Sequence, residues 1–258
     1  MDVKEDNVCS FTKEDLDIYF YYIKGDWLSK SWLKGNFYEF RLLDKLRELQ
    51  LEGTYIDVGA HFGNHSIYFS KFCPCNKVIS IDGNPINYKF LESNIKINKC
   101  LNVITHNKIV SNVDDKTYKM LTYIRNTGVS RIIYENEHRY NSKSNVENTS
   151  ITLDKLLKEE KNITLIKFDV ELHEFEALQG CIETIKKYKP VIIIENHKNT
   201  LNYDKIFAES IARYPIVLGI YFNSTDADAQ KIGVLPEPMF SAEELKSSRD
   251  YVLKATGF

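Results

Sequence analysis

The sequence has no long apolar run and no excess of either charge. No stretch reaches the ~18 consecutive apolar residues that a membrane-spanning helix needs. The N-terminus, MDVKEDNVCSF, is acidic and lacks the positive start and apolar segment of a secretion signal. Lys plus Arg total 34 and Asp plus Glu total 36, a net charge of −2. We therefore expect a cytoplasmic protein with no membrane span, and not one whose main task is to bind nucleic acid.

Cysteine is also scarce, and its spacing is irregular. The five cysteines are an odd number scattered along the chain, as Cys9, Cys73, Cys75, Cys100 and Cys181. This usage favours reduced thiols in a cytosol-like compartment. The CPC at 73–75 has no second Cys or His pair at zinc spacing, so we interpret it as a loop.

The sequence does contain a regular alternation of apolar runs and amphipathic segments. We predict strands at 54–59, 77–82, 102–110, 163–170 and 190–196, with helices at 64–72, 84–99 and 173–188. Strands buried on both faces and separated by helices indicate an α/β fold with a doubly wound, mostly parallel sheet. Residues 13–49 are predicted to be helical. We therefore expect an N-terminal helical cap over 1–50 and one domain over 51–258.

Two further segments fit this alternation less well. Residues 111–150 are rich in Asn, Ser, Glu and Tyr, which indicates either a lid over the acceptor or an unstructured excursion. Arg125, Arg131 and Arg139 in this insert are candidates for steering an anionic acceptor. Beyond residue 200 we expect a helix, a strand in YPIVLGIYF, a loop with LPEPMF and a last strand in DYVLKA.

A strand-turn-helix around residues 55–69, YIDVGAHFGNHSIYF, indicates a ligand site. Asp57, Gly59 and Gly63 give the spacing D-x-G-x-x-x-G, which is not the G-x-G-x-x-G of a dinucleotide site and so disfavours NAD. S-adenosylmethionine has no pyrophosphate. It needs a glycine-lined turn for its amino-acid end and an acid after the second strand for its ribose. Asp82, which follows the second strand, is placed for that purpose.

Longer motifs follow in order between Gly35 and His197. They are KGNFYE, YIDVGAHFGNHSIYFSK, VISIDGNPINYKFLESNIKIN, NKIV, TSITLDKLL, ITLIKFDVELHEFEALQG and KPVIIIENH. Together they resemble the FkbM-type S-adenosylmethionine-dependent methyltransferases, which have a class I, Rossmann-like fold. Three positions depart from the family pattern: His61 replaces the Asn of DVGAN-x-G, Asp82-Gly83 replaces Glu-Pro of E-P-N-P, and Leu172 replaces the glycine of D-V-E-G-x-E.

The resemblance implies which residues surround the cofactor. Around its methionine end it implies Asp57, Gly59, Gly63 and Asn64, and around its ribose it implies Asp82 with Asn84. The chemistry of the ligand agrees with this assignment, because a sulfonium favours nearby negative charge and a diol favours a bidentate carboxylate.

Methyl transfer to oxygen also needs an acceptor held in line and a base for its proton. The candidates at the strand ends are Asp169, Glu171, His173 and His197. Asp169 and Glu171 recur in the family motif and rank first, followed by His197. A minority reading places Mg²⁺ on Asp169, Glu195 and Asn196, although we do not expect a metal.

We therefore predict an O-methyltransferase that acts on a hydroxyl of a sugar or glycan, the acceptor class that the resemblance implies. Two alternatives stay open: a non-catalytic relative that binds the cofactor, which Leu172 keeps in play, and an NAD-dependent oxidoreductase on a similar sheet. The acceptor hydroxyl and the oligomeric state are not readable from the residues.

Overall fold

The computed structural model describes residues 7–123, 126–134, 145–196 and 217–222. The elements in chain order are β1 Val8–Lys13, β2 Leu16–Tyr21, α1 Ser29–Leu33, α2 Phe40–Glu48, β3 Gly53–Val58, α3 Asn64–Phe72, β4 Cys75–Ile81, α4 Pro85–Ile97, β5 Val103–His106, β6 Ile109–Val110, β7 Thr117–Leu121, a 3₁₀ turn Thr127–Val129, β8 Arg131–Ile132, β9 Asn145–Ile151, α5 Leu153–Leu156, β10 Ile163–Phe168, α6 Glu174–Gln179, α7 Ile182–Tyr188, β11 Val191–Asn196 and β12 Val217–Phe222.

The main sheet has six strands in the order β12-β11-β10-β3-β4-β5, and all neighbours are parallel. Its apolar side chains alternate between two cores. Tyr55 and Val78 pack in the core that contains α2, α3 and α4, whereas Ile56 and Ile79 pack in the core that contains α5, α6 and α7. Helices therefore cover both faces, which confirms the predicted doubly wound α/β fold.

The strand order reverses between β3 and β10. From β3 the chain moves outward through β4 and β5, and it then returns to β10 on the other side of β3. A crevice opens at such a switch point, outside the carboxyl ends of the strands. This fold therefore directs attention to the turns that follow β3, β4 and β10.

The N-terminal segment differs from the predicted helical cap at its start. Residues 13–49 were expected to be helical, but β1 and β2 form an antiparallel hairpin before the short helices α1 and α2. In β2, Ile18 and Phe20 are fully buried while Asp17 is exposed, which is a strand period of two. The side chain of Asn94, on α4, accepts a hydrogen bond from the backbone N–H of Tyr21 at 2.7 Å. A helix side chain thus pairs with the hairpin backbone, a contact that local periodicity does not reveal.

The third predicted strand, 102–110, is in fact two strands in different sheets. β5 is the edge of the main sheet, and β6 joins a small sheet of order β6-β9-β7-β8. Strands β7, β8 and β9 of this small sheet come from the polar insert. Only a few of its side chains, such as Ile109, Met120 and Ile132, form an apolar core of their own. The insert is therefore partly folded strand rather than only loop.

The predicted helix 173–188 is divided into α6 and α7 at Gly180. A Cβ atom at Gly180 would lie 2.0 Å from the backbone oxygen of Ser111. Only glycine therefore allows the Ser111 backbone to pass against the junction of α6 and α7. Periodicity alone predicted one helix because the apolar positions on both sides of the break remain in phase.

Three further observations complete the fold. In the described ranges, no helix is both long and apolar enough to cross a membrane. The strand expected in YPIVLGIYF is present as β12. The segments LPEPMF and DYVLKA, Arg125, Arg139 and His197 lie outside the described residues.

Candidate active site

A cavity of about 320 Å³ lies at the carboxyl edge of the main sheet. Six of the residues predicted for the site line it: Gly59, Asp82, Asn84, Asp169, Glu171 and His173. The other walls come from the N-terminal segment, from the loop after β5 and from the small sheet. The strand-end residues are thus brought together as the parallel topology requires.

Gly59 begins the turn after β3 and has a φ of +79°. A Cβ atom there would lie 1.7 Å from the backbone oxygen of Asp169, so only glycine lets the two strand extensions pass. The N–H of Gly59 and that of Ala60 both donate to the carbonyl of Ile81, at 2.9 and 3.0 Å. This glycine therefore ties together the turns after β3, β4 and β10, in addition to lining the cavity.

Gly63 and Asn64 lie behind the turn rather than in the cavity wall. Gly63 is the N-cap of α3 with a φ of +91°, and it faces Leu91 on α4. The Asn64 amide oxygen accepts hydrogen bonds from Trp32 Nε1 and from the backbone N–H of Tyr38, each at 2.9 Å. The Asn64 amide group donates to the carbonyl of Tyr38 at 3.0 Å. The Asn64 side chain thus holds the N-terminal segment.

Asp82 is positioned by backbone hydrogen bonds on both carboxylate oxygens. Its Oδ2 accepts from the N–H of His61 and its Oδ1 from the N–H of Asn84, both at 2.8 Å. Burial raises the pKa of Asp82 to about 7, although these two hydrogen bonds oppose the shift. Each carboxylate oxygen retains a lone pair, so Asp82 is oriented but still able to accept from a ligand.

Asn84 caps α4 as predicted, with Pro85 at the first helical position. Its Oδ1 accepts from the N–H of Ile86 at 2.9 Å, and its Nδ2 donates to Thr122 Oγ1 at 3.0 Å. This residue therefore connects the turn after β4 to the small sheet.

His61, the substitute for the family's Asn, connects three segments. The Thr127 hydroxyl donates to Asp26 Oδ1 at 2.9 Å, so its lone pair accepts from His61 Nε2, which lies 2.7 Å away. Burial lowers the pKa of His61 to about 4, although the charges of Asp26 and Asp169 act to raise it. His61 is therefore a neutral imidazole that links the turn to the insert.

A buried lysine, which the sequence analysis did not select, connects two of the predicted acids. Lys167 Nζ lies 3.1 Å from Asp169 Oδ2 and 3.5 Å from Asp57 Oδ1. Burial opposes its charge, but Asp169, Asp57 and Glu39 outweigh that effect and raise the pKa of Lys167. Asp57 is fully buried below the cavity and also accepts from Ser66 Oγ at 2.6 Å. The signal for Lys167 was a lone cation in the apolar strand ITLIKF.

Glu171 has an unusual backbone and an unusual charge state. Glu171 and Leu172 have φ values of +53° and +73°, in the left-handed region that disfavours residues with a side chain. Burial, followed by the charges of Asp169 and Glu174, raises the pKa of Glu171 to about 8. Glu171 therefore carries a proton at neutral pH for much of the time.

His173 lines the cavity, but its two ring nitrogens already have partners. Nδ1 lies 2.7 Å from the Tyr134 hydroxyl, and Nε2 lies 3.1 Å from Ser111 Oγ. Burial, together with the charge of Lys116, lowers the pKa of His173 to about 4. This residue is thus built into the wall as a neutral side chain.

The predicted metal ligands are only partly described. Glu195 and Asn196 end β11, but their side chains lie outside the described part, and only Asp169 is seen at the cavity. Within the described part of the chain, no three His, Cys, Asp or Glu side chains are grouped as a metal site would need. The preference for a metal-free site stays a prediction.

Glu39 lines the cavity but was not among the residues predicted for the site. It lies at the end of KGNFYE, with a φ of +55°, and its side chain is 9% exposed. Its Oε2 lies 3.2 Å from His65 Nε2. In the sequence, only its place in the motif KGNFYE set Glu39 apart. The spacing of the motif did not predict that this acid lies beside the strand ends.

The sheet order and the acids at its carboxyl edge define a class I methyltransferase fold. The methyltransferase FkbM domain model matches residues 57–217. The chain therefore belongs to the FkbM methyltransferase domain family, and the predicted membership is confirmed.

Solved structures show a more distant similarity. A methyltransferase FkbM from Methylobacillus flagellatus KT is 17% identical over 53% of this chain and 31% of its own, with a TM-score of 0.37. A precorrin-6y C5,15-methyltransferase from Geobacter metallireducens GS-15 is 14% identical over 74% and 64%, with a TM-score of 0.34. An rRNA methylase from Streptococcus thermophilus is 13% identical over 75% and 78%, with a TM-score of 0.34.

The chain thus spans about a third of the length of the FkbM structure that it matches. The comparison with curated proteins gives no match.

Proposed function

We propose that this protein is an S-adenosylmethionine-dependent methyltransferase that transfers the methyl group to a hydroxyl oxygen of a sugar or glycan. The observation that carries the proposal is Asp82, a carboxylate aligned by two backbone N–H groups at the end of the second strand of the switch-point crevice. This is the geometry that a ribose diol requires, because both oxygens are fixed and both keep a lone pair.

The charge of the cavity supports a cationic ligand. Among the described residues that line it, four are carboxylic acids, Glu39, Asp82, Asp169 and Glu171, and one is a lysine, Lys108. Lys108 Nζ already donates to Thr149 Oγ1 at 2.6 Å. A pyrophosphate would add negative charge beside these acids, whereas a ligand with positive groups would favour the ionised forms of Asp82 and Glu171, whose pKa values burial raises. The alternative of an NAD-dependent oxidoreductase is disfavoured on this ground.

The residues present fit S-adenosylmethionine. Asp82 and Asn84 would hold its ribose hydroxyls, and Asp169 and Glu171 would lie near its positive end. When bound, the cofactor supplies a methyl group on a positively charged sulfur. A cavity of about 320 Å³ is at the small end of the usual range for ligand sites.

Glu171 is the proposed base for the acceptor hydroxyl. Its raised pKa matches proton transfer near neutral pH, and its carboxylate would take the hydroxyl proton as the methyl group is transferred. Lys167 holds Asp169 beside it with a hydrogen bond of 3.1 Å. His197 remains the second predicted base.

The acceptor class comes from the family resemblance, and the apolar residues that line the cavity are compatible with it. Trp27 offers an aromatic surface, while Met120, Val129 and Ile132 add apolar contacts from the insert. An amphipathic ligand such as a sugar, with polar edges and C–H faces, suits a wall of this kind. We also propose that the protein is cytoplasmic and that its methyltransferase domain covers residues 51–258. We propose that the domain uses no metal and has no nucleic-acid partner.

The test is turnover of a labelled methyl donor against a panel of glycans, with and without EDTA. We expect label on one class of sugar hydroxyl and no effect of EDTA. Label on a nitrogen or carbon acceptor would overturn the oxygen assignment. Loss of activity in EDTA and its recovery with Mg²⁺ would overturn the metal-free assignment.

A further inference from the structure

The N-terminal segment brings a carboxylate, that of Glu39, to the edge of the cofactor cavity. Glu39 lies outside residues 57–217, the part of the chain that matches the family model. On the basis of the proposed function, we propose that Glu39 binds the α-ammonium group at the amino-acid end of S-adenosylmethionine. This assignment would make the segment before β3 part of the cofactor site.

The backbone at Glu39 is held in a costly conformation. It is the N-cap of α2 with a φ of +55° and a ψ of +34°, in the left-handed region, where a residue with a Cβ atom is disfavoured. Such strain persists where surrounding contacts impose it, and it is often found at ligand sites. The result here is a side chain that lines the cavity and is 9% exposed.

Asn64 imposes this position through the preceding residue. Its side chain accepts from the N–H of Tyr38 and donates to the carbonyl of Tyr38, at 2.9 and 3.0 Å. Trp32 Nε1 adds a third hydrogen bond to the same amide oxygen. Because Asn64 is the first residue of α3, the turn after β3 positions Glu39 through the backbone of Tyr38.

The turn after β3 also positions Asp82, through the backbone of His61. The N–H of His61 donates to Asp82 Oδ2, and Asn64, three residues later, holds the segment that carries Glu39. A ligand lying across this turn would meet Asp82 and Glu39 with its two ends. S-adenosylmethionine has a ribose diol at one position and an ammonium group at its far end, which are the two groups that these carboxylates recognise.

The local charges leave Glu39 available to a ligand cation. His65 Nε2 is 3.2 Å from its carboxylate, but this nitrogen lacks hydrogen-bond geometry to any described partner. Lys167 interacts with Glu39 through its charge, but its hydrogen bond goes to Asp169. An ammonium group with three donors would supply the directed hydrogen bonds that neither neighbour provides.

The test compares two ligands, S-adenosylhomocysteine and 5′-methylthioadenosine, by titration calorimetry. The second has the adenosine and the sulfur but lacks the amino acid. We expect Glu39→Gln to lower the affinity for S-adenosylhomocysteine by about tenfold, which is the effect of one lost charge-assisted hydrogen bond. The affinity for 5′-methylthioadenosine should change by less than about twofold. Asp82→Ala should weaken both ligands, and Glu48→Gln, on the exposed face of α2, should weaken neither.

A ligand-side variant tests the pairing without relying on the mutant fold. Wild-type protein should lose about tenfold in affinity for an S-adenosylhomocysteine analogue without the α-amino group, and Glu39→Gln should lose nothing further. Additive losses, or an equal effect of Glu39→Gln on both ligands, would overturn the assignment, because Glu39 would then support only the fold. If wild-type protein binds neither S-adenosylhomocysteine nor 5′-methylthioadenosine, the proposed function itself fails.

Discussion

The turn after β4 and the turn after β10 face the same cavity but are built in opposite ways. Asp82, after β4, has both carboxylate oxygens satisfied by backbone N–H groups at 2.8 Å. Glu171, after β10, has a left-handed backbone, and burial, followed by the charges of Asp169 and Glu174, raises its pKa. One carboxylate is thus held by fixed hydrogen bonds, and the other lies in a turn with a left-handed backbone and like charges nearby.

The difference indicates a division of labour between binding and chemistry. The N–H groups that hold Asp82 belong to the backbone and do not depend on which side chains residues 61 and 84 carry, so the β4 turn is expected to offer a fixed geometry to the ribose. Carboxylic acids that repel one another are stabilised by an added cation, so the β10 turn responds to a sulfonium. We therefore expect mutations in the two turns to separate affinity from rate.

The largest expected effect is on the rate of transfer. Glu171→Gln should leave the affinity for S-adenosylhomocysteine nearly intact and lower the methyl-transfer rate by roughly 10²–10⁴-fold, because the amide cannot accept the hydroxyl proton. Single-turnover kinetics with labelled donor measures this rate. Glu183→Gln, on the exposed face of α7, is the matched control.

The same assay separates the two candidate bases. If His197→Ala shows the loss and Glu171→Gln does not, the assignment of Glu171 is wrong. If neither variant matters, the β10 turn positions the acceptor without removing its proton, or the acceptor is not an alcohol.

Removal of the Asp82 carboxylate should have the next largest effect. Asp82→Ala should weaken S-adenosylmethionine binding by about 1–3 kcal/mol, because a buried diol loses a charged acceptor. Calorimetry measures the change directly. An unchanged affinity would remove Asp82 from the site and with it the contrast between the two turns.

The two turns should also give different pH dependences. In the free protein the pKa of Glu171 is about 8, and the sulfonium charge favours its ionised form, so binding of S-adenosylmethionine releases a proton. Affinity should therefore rise as the pH increases toward about 8 and level off above it. S-adenosylhomocysteine lacks the sulfonium charge, and its affinity should change less.

The affinity ratio of the two ligands isolates this effect. If binding lowers the pKa of Glu171 by one unit, we expect this ratio to grow by about tenfold as the pH rises. In Glu171→Gln the ratio should not change with pH. A ratio that stays constant with pH in wild-type protein would place Glu171 away from the sulfur.

The smallest expected effect concerns the strain at Leu172. Leu172→Gly should be more stable than Leu172→Ala by about 1 kcal/mol, because only glycine is relieved of the left-handed penalty. Both variants lose the same half-buried side chain apart from one methyl group. Urea denaturation measures the difference, and an alanine variant of equal or greater stability would show that the positive φ carries no strain.

The parts of the fold that local sequence specifies were predicted well. The Asn84-Pro85 start of α4 and the glycine turn after β3 follow from capping and backbone rules that act within a few residues. These features placed the cavity at the correct edge of the sheet. The sequence also predicted that Gly63 and Asn64 belong to this turn. It did not predict that they lie behind the turn, outside the cavity wall.

What sequence reasoning missed depends on contacts between distant segments. The β1–β2 hairpin pairs with asparagine side chains of α4, Lys167 reaches Asp57, and Glu39 is positioned by Asn64. Local periodicity does not predict such pairs, because the two partners lie in segments that are distant in the sequence. The strands of the insert were not predicted for a related reason, because few of their side chains are buried and their composition is polar.

The most direct test of the central claim, an S-adenosylmethionine site at the switch point, is calorimetric titration of the wild-type chain with S-adenosylhomocysteine and, separately, with NAD. We expect a saturable heat of binding with S-adenosylhomocysteine and none with NAD, because the acidic cavity accepts an ammonium group and repels a pyrophosphate. Binding of NAD without binding of S-adenosylhomocysteine would contradict it.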